Sequence, residues 1–255
     1  MSKLSRLAAG SALLAAVAMG GADAALADGY KAKKVAYERP ADWSGVYFGV
    51  SSGYQWSSLD FAYLNPVFPS TSNPDSADGL VGAHIGIQHQ FGSVVLGIEG
   101  GWASSFRDDM GSDACHPAAN CVAGTRVTAR LNDILSVGAR IGLASGHWMP
   151  YLTGGYASGN FHYRGDTAAG VLFSQDTTRH DGWYLGAGFD YVISPGWTAG
   201  LEYRHYDFGD ATTIPFDATG VPRPQEIYRL DPSVDAITAR VSWRWGRPDM
   251  PAPLK

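Results

Sequence analysis

Residues 43–56 read Trp43-Ser44-Gly45-Val46-Tyr47-Phe48-Gly49-Val50-Ser51-Ser52-Gly53-Tyr54-Gln55-Trp56. Apolar side chains alternate with small or polar ones, and this period of two predicts a β-strand. The face that carries the glycines would bury too little apolar surface for an ordinary soluble core. The alternation instead favours a strand whose apolar face meets lipid and whose small, polar face lines a narrow barrel.

The same alternation recurs in seven later segments, at about 79–90, 94–104, 132–143, 148–161, 182–192, 197–208 and 234–245. The connections alternate between long ones (57–78, 105–126, 162–180, 209–233) and short ones (91–93, 144–147, 193–196). An even number of strands, with long loops at one end and short turns at the other, is typical of bacterial outer-membrane barrels. The sequence therefore predicts an all-β fold, an eight-stranded antiparallel transmembrane up-and-down β-barrel.

The N-terminus has the pattern of a secretory signal peptide. Lys3 and Arg6 precede an apolar run, and small-x-small sites end at Ala24 and Ala27. We predict a signal peptide over 1–27, with cleavage after Ala27 or alternatively after Ala24. A membrane anchor is disfavoured because the run is shorter than the ~20 residues that span a bilayer. A periplasmic tail over 28–42, a barrel over 43–245 and a C-terminal extension over 246–255 complete the predicted organisation.

Composition agrees with a small barrel that has a lipid-facing surface. The chain holds 32 glycines, 12% aromatic residues and only 17% charged residues, whereas soluble domains average about 25% charged residues. The net charge of −5 argues against a nucleic-acid partner. We expect outer-membrane lipid as a partner and the outer membrane of a diderm bacterium as the location.

All eight tryptophans fall at strand ends or turns. In an up-and-down order, Trp56, Trp102 and Trp183 lie near the long-loop end. The short-turn end receives the other five: Trp43, Trp148, Trp197, Trp243 and Trp245. Two belts of tryptophan are expected where amphipathic rings meet the two headgroup layers.

The predicted inward face also carries charged residues. They are Glu99, Arg140, Asp190, Glu202, Arg204, Arg240 and Arg244. Buried charges are tolerated when they are paired, and an eight-stranded barrel is just wide enough for side chains to fill. We therefore predict an internal salt-bridge network, with glycine making room around it. A catalytic or ion-selective constellation is the alternative interpretation.

Signs of catalysis are weak. His84 and Ser136 face inward, but neither lies in a G-x-S-x-G nucleophile elbow, and no phosphate-binding glycine loop is present. We expect no catalytic residues, no metal site and no cofactor. Cys115 and Cys121 are predicted to form a disulfide in an oxidising compartment. A metal site there, with His116, would be one ligand short of four.

Several motifs resemble the small outer-membrane immunogenic, porin-like proteins. They are Trp43-Ser44-Gly45-Val46-Tyr47-Phe48-Gly49, Val95-Leu96-Gly97-Ile98-Glu99-Gly100, Gly182-Trp183-Tyr184-Leu185-Gly186-Ala187-Gly188 and Val241-Ser242-Trp243-Arg244-Trp245. The resemblance implies an OmpA-like eight-stranded barrel exposed as a surface antigen, with the barrel insertion machinery as a partner. The chain departs from the pattern because ten residues follow Trp245.

The expected function is a structural surface-antigen barrel with a filled lumen and no catalysis. A small porin is the first alternative and a lipid-modifying outer-membrane enzyme the second. The extracellular loops, 209–233 among them, are possible sites for a ligand.

Overall fold

Antiparallel pairing organises every strand that the structure describes. The structure, a computed structural model, describes residues 41–63, 70–72, 75–106, 111–114, 126–166, 169–214, 216, 219–222 and 227–245. The long strands are β1 (Gly45–Tyr63), β3 (Asp75–Phe91), β4 (Val94–Ser105), β6 (Arg126–Leu143), β7 (Trp148–Asp166), β8 (Leu172–Ser194), β9 (Trp197–Asp207) and β11 (Tyr228–Trp245). The short strands are β2 (Ser70–Ser72), β5 (Gly111–Ala114) and β10 (Ala211–Thr213).

The sheet closes on itself. Long strands that follow one another along the chain are hydrogen-bonded neighbours, and the last one, β11, returns to pair with β1. That closing pairing runs from Val46 opposite Trp245 to Tyr63 opposite Tyr228. The predicted eight-stranded antiparallel up-and-down barrel is confirmed. Across the part of the chain that the structure describes, no helix is long and apolar enough to cross a membrane.

The two ends of the barrel differ in the length of their connections. We call the end that carries the turns after Phe91, Leu143 and Ser194 the turn end, and the opposite end the loop end. Gly92, in the first of these turns, has a φ of 63°, a left-handed conformation that glycine adopts without steric cost. The chain enters β1 and leaves β11 at this same turn end.

The period of two decides which side chains face inward. On β1, Phe48 and Val50 are 51% and 63% exposed on the outside, whereas Tyr47 is 4% exposed inside. The same split holds on β8, where Leu185 is exposed and Tyr184 is buried. The exposed face is apolar, as expected for a barrel surrounded by hydrocarbon.

Several strands extend well beyond their predicted bounds. β8 has 23 residues rather than the predicted 182–192, and β7 continues to Asp166 rather than ending near 161. A tilted strand needs about 9–11 residues to cross a bilayer, so roughly half of β8 stands above it at the loop end. The prediction was wrong there because the outward side chains of these extensions, such as Arg164 and Thr177, are polar, which removes the apolar alternation.

Candidate functional site

A charged layer crosses the middle of the lumen. Five strands contribute to it: β4 supplies Glu99, β6 Arg140, β8 Asp190, β9 Glu202 and Arg204, and β11 Arg240. All six side chains are buried, because each occupies an inward position of its strand. These are six of the seven residues predicted from the sequence as a lumen network.

Glu99 is the centre of this layer. Its Oε2 accepts hydrogen bonds from Tyr47 Oη at 2.8 Å and from Arg240 Nη2 at 2.6 Å. Its Oε1 accepts one from Arg204 Nη2, also at 2.6 Å. Arg140 Nη1 lies 3.8 Å from Oε2. Four groups from four other strands therefore meet one carboxylate.

Glu202 forms the second anchor. Tyr151 Oη donates to its Oε2 at 2.8 Å, and Arg240 Nη1 donates to the same oxygen. The Nε of Arg204 lies 2.5 Å from Glu202 Oε1. Arg204 and Arg240 thus each bridge the two glutamates, so that removing either arginine would leave two carboxylates short of partners.

Arg140 completes the layer on the opposite wall. Its Nη2 donates to Asp190 Oδ2, and its guanidinium carbon lies 3.6 Å from the centre of the Tyr151 ring. Stacking of this kind suits arginine because its guanidinium is planar and weakly hydrated. With three arginines and three carboxylates the layer is neutral, which is the arrangement that makes buried charge tolerable.

Glycines leave the space that these side chains need. Tyr47 pairs with Gly86 on β3, Arg204 with Gly186 on β8, and Arg240 with Gly200 on β9. A Cβ at Gly86 would lie 2.5 Å from Tyr47 Oη, and one at Gly186 would lie 3.0 Å from Arg204 Cγ. Each of these large inward residues therefore faces a glycine on the neighbouring strand. The inward face is rich in glycine because a Cβ at these positions would clash with the large side chains.

An aromatic layer fills the lumen above the charges, toward the loop end. It consists of Phe161, Tyr163, Tyr184, Tyr206 and Phe208, packed with Leu80, Ile134, Leu230 and Val234. Phe161 and Phe208 meet edge to face with ring centres 5.2 Å apart. The small, polar inward face predicted from residues 43–56 does not extend to this half of the lumen. Among these aromatics only Tyr163 lies outside the predicted strands, on the extension of β7 beyond Phe161.

Trp43 lies under the charged layer, at the turn end, and this corrects its predicted place in the lower belt. It is 1% exposed, its backbone N–H donates to Gln90 Oε1 at 2.8 Å, and its backbone carbonyl accepts from Gln88 Nε2 at 2.7 Å. Gly45, with a φ of 136°, provides the bend by which the chain enters β1. Trp43 has an odd residue number, like the inward-facing residues of β1. The alternation in the sequence could therefore have predicted that its side chain faces inward.

Arg244, the seventh residue of the predicted network, lies beside Trp43 at the turn end and not in the charged layer. Its guanidinium carbon lies 5.5 Å from the centre of the Trp43 ring. A cavity of about 10 Å³ between this level and Arg140 is lined by Trp43, Gln88 and Ser242. On the other side of the charged layer, a cavity of about 30 Å³ is lined by His84, Ser136 and Tyr206. These volumes hold about one or two water molecules each.

Replacing Trp43 with Ala is expected to lower barrel stability by about 3–5 kcal/mol, the usual cost of removing a buried tryptophan. The measurement is the temperature at which the folded, fast-migrating band disappears on an unheated gel. Trp245→Ala is the matched control because Trp245 is 76% exposed, and it should change this temperature much less. Equal effects of the two substitutions would contradict the inward position of Trp43.

The other tryptophans face outward. Trp56, Trp102 and Trp183 are 42%, 46% and 44% exposed on the loop-end side. Toward the turn end, Trp148, Trp197 and Trp245 are exposed, and Trp243 packs against Trp197 with ring centres 5.3 Å apart. The two groups are separated along the strands, and their place at the two headgroup layers stays a prediction.

The structure brings together one polar pair that sequence reasoning missed. His84 Nε2 lies 2.8 Å from Ser242 Oγ, whereas Ser136, the inward serine considered beside His84, contacts Arg204. The described residues contain no cluster of His, Cys, Asp and Glu that could hold a metal ion. Cys115 and Cys121 lie outside the described residues, as do 1–40 and 246–255, so the disulfide, the signal peptide and the C-terminal extension stay predictions.

Comparison with known proteins identifies the family. The sequence profile of the outer membrane protein beta-barrel domain matches residues 10–244. The chain belongs to this outer-membrane β-barrel family. A 31 kDa outer-membrane immunogenic protein of Brucella melitensis is 31% identical over 188 residues, which cover 69% of this chain and 75% of the relative. A 25 kDa outer-membrane immunogenic protein of Brucella ovis is 24% identical, covering 66% and 71%.

Membership in the family places the protein in the outer membrane of a Gram-negative bacterium. Outer-membrane barrels keep their short turns in the periplasm, so the turn end is periplasmic and the loop end extracellular. Among solved structures, the outer-membrane protein OprG from Pseudomonas aeruginosa aligns at 12% identity with a TM-score of 0.48, covering 79% of this chain and 97% of OprG.

Proposed function

We propose that the protein is a closed outer-membrane barrel, a structural surface antigen that neither conducts solutes nor catalyses a reaction. The observation that carries the proposal is the charged layer, in which Glu99 is bonded to groups from four other strands. Its members cannot be separated without leaving buried charges unpaired, at a cost of several kcal/mol per ion. The lumen is thus filled by interactions that resist opening.

The levels on either side of the charged layer support the same conclusion. Trp43 and Arg244 lie on the periplasmic side, and Tyr184, Tyr206 and Phe208 on the extracellular side. The aromatic layer is packed from buried rings, and the transfer of an ion into such largely apolar surroundings is very costly. The two cavities described beside the charged layer hold only about one or two water molecules each.

Single-channel recording in planar bilayers tests the proposal. We expect the refolded protein, shown to be folded by its heat-dependent gel migration, to give no conductance steps at neutral pH. A variant carrying Trp43→Ala, Arg140→Ala and Phe208→Ala removes one large side chain from each of the three layers that fill the lumen, and it should conduct if the assay detects open lumens. Regular steps from the unmodified protein would instead establish the alternative, a small porin.

The absence of catalysis is part of the proposal. His84 and Ser242 have the distance of a base and a nucleophile, but both are buried in the lumen beside the charged layer, away from the lipid surface. A lipid-modifying enzyme would need its nucleophile at a rim open to lipid. Lipid A from a deletion strain should therefore have an unchanged mass spectrum, and an altered one would contradict this part of the proposal.

A further inference from the structure

The pairing of β1 with β11 differs from the other pairings at the turn end. Short turns after Phe91, Leu143 and Ser194 connect β3 to β4, β6 to β7 and β8 to β9. Because β1 and β11 are the first and last strands that the structure describes, no turn connects them. They are joined by the ladder that begins with Val46 opposite Trp245, and we call this pairing the seam. Strand ends open locally at a lower free energy than the body of a sheet.

The chain leaves the barrel wall just before the seam begins. β1 starts at Gly45, whose φ of 136° is one that glycine adopts without steric cost. A Cβ at Gly45 would also lie 2.5 Å from the carbonyl oxygen of Trp245. The four preceding residues turn under the lumen, where Ala41 and Trp43 are buried. We call residues 41–44 the strap.

The strap is hydrogen-bonded to β3, on one side of β1. The regular ladder between β1 and β3 ends at Gly45 opposite Gln88. Beyond it, the backbone N–H of Trp43 donates to Gln90 Oε1, and its backbone carbonyl accepts from Gln88 Nε2. The backbone N–H of Gln90 donates to Ser44 Oγ at 3.1 Å. Side chains thus continue the attachment of the chain to β3 where the ladder stops.

The strap contacts β11 on the other side of β1. The guanidinium of Arg244 lies against the Trp43 ring, an arrangement in which the cation is attracted by the face of the indole. Burial raises the pKa of the Asp42 carboxyl, but hydrogen bonds from Ser44 and the charge of Arg244 lower this pKa more, so the carboxyl stays ionised. Since β1 lies between β3 and β11, these contacts carry the strap across the seam.

The Trp43 ring anchors the strap to the far wall of the lumen. It packs with Val95 of β4, Met149 and Tyr151 of β7 and Val192 of β8. An aromatic ring of this size buries more apolar area than most side chains. Removing the strap from the mouth of the barrel would expose this ring to water, and the burial therefore holds the strap in place.

We propose that the strap holds the seam closed at the periplasmic end of the barrel. There it takes the place of the turns that connect the other three strand pairs. The ends of β1 and β11 cannot separate while the strap keeps its contacts with Arg244. When Trp43 leaves the lumen, the first residues of the seam are held by their ladder alone. They then open locally while the rest of the barrel stays folded, so this role goes beyond filling the lumen.

Amide hydrogen exchange, followed by NMR on the refolded protein in detergent, tests the proposal. Trp43→Ala should accelerate exchange about tenfold or more for the amides that bond across the seam within 46–50 and 241–245. The amides at the extracellular end of the same seam, 54–58, should change less than about threefold, as should those of the β6–β7 pair near its turn. A uniform acceleration over all strands would overturn the proposal, because Trp43 would then act through overall stability.

Met149→Ala is the matched control. Met149 is fully buried in the same cluster as Trp43, and its truncation also removes a large apolar side chain from the turn end. It leaves the contacts of the strap with Gln88 and Arg244 in place, so exchange across the seam should rise less than about threefold. Equal acceleration of the seam by Met149→Ala and Trp43→Ala would show that packing alone is responsible, and the proposal would fail.

A second variant keeps the proposal testable if Trp43→Ala does not fold. Gln88→Leu combined with Gln90→Leu removes two hydrogen bonds of the strap and retains the Trp43 ring. Exchange within 46–50 should then rise about threefold or more, and an unchanged rate would count against the strap. Neither measurement depends on conductance, so the closed barrel and the strap are tested separately.

Discussion

Glu99→Gln is expected to lower the unfolding temperature of the barrel by about 10 °C or more. Breaking a buried ion pair by removing one partner costs about 3–5 kcal/mol, and 1 kcal/mol corresponds to about 2–4 °C for a domain of this size. The effect is large because Glu99 accepts from Arg204, Arg240 and Tyr47 at once. A neutral amide in place of this carboxylate would leave a net positive charge in the middle of the lumen.

The measurement is the fraction of folded, fast-migrating protein after heating in detergent at a series of temperatures. Asp210→Asn serves as the control, because it removes a carboxylate whose partner Arg229 is exposed, and such pairs contribute at most about 1 kcal/mol. If Glu99→Gln and Asp210→Asn lower the temperature equally, the charged layer does not stabilise the barrel.

A second substitution tests whether the loss comes from unpaired charge. Adding Arg204→Met to Glu99→Gln restores the charge balance, so the double variant should be more stable than the sum of the two single changes predicts. Residues of one network show coupling energies of about 0.5–3 kcal/mol. Additive effects would instead mean that Glu99 and Arg204 act independently.

Gly155→Ala is expected to prevent the barrel from folding or to destabilise it by about 3 kcal/mol or more, at the upper end of overpacking effects. A Cβ at this position would lie 2.2 Å from the Val137 carbonyl oxygen and 2.4 Å from Gly138 Cα. Both atoms belong to the backbone of β6, so the clash cannot be relieved by turning a side chain. Strands β6 and β7 would have to separate and lose ladder hydrogen bonds.

Gly100→Ala is the matched control, because the same change meets only Ser136 O, at 3.8 Å. Its φ is not in the left-handed region, so this substitution should be neutral or stabilise by about 0.4–1 kcal/mol. Folding yield and heat-dependent gel migration distinguish the two variants. Normal folding of Gly155→Ala would show that the two strands are farther apart than the structure has them.

The sequence predicted the barrel because the decisive signal is local. A period of two appears within single strands, and the alternation of long and short connections needs no knowledge of distant contacts. The same signal failed for the extracellular half of β8, where outward Thr177 and Arg179 are as polar as a loop. At Trp43 the alternation does indicate the correct face, because Trp43 precedes the inward Tyr47 by an even number of residues.

By itself, the sequence determined the class of fold, the inward and outward faces of the spanning strands and the identity of the inward charged residues. Only the tertiary structure decided that Glu99 meets Arg204 and Arg240, and that Arg244 lies apart, over Trp43. The physical reason is the register between paired strands, because a shift in register moves a side chain along the lumen. Closure of β11 on β1 brings Arg240 into hydrogen-bonding contact with Glu99, 141 residues away in the chain. Such distances are set by the whole sheet, and no single strand encodes them.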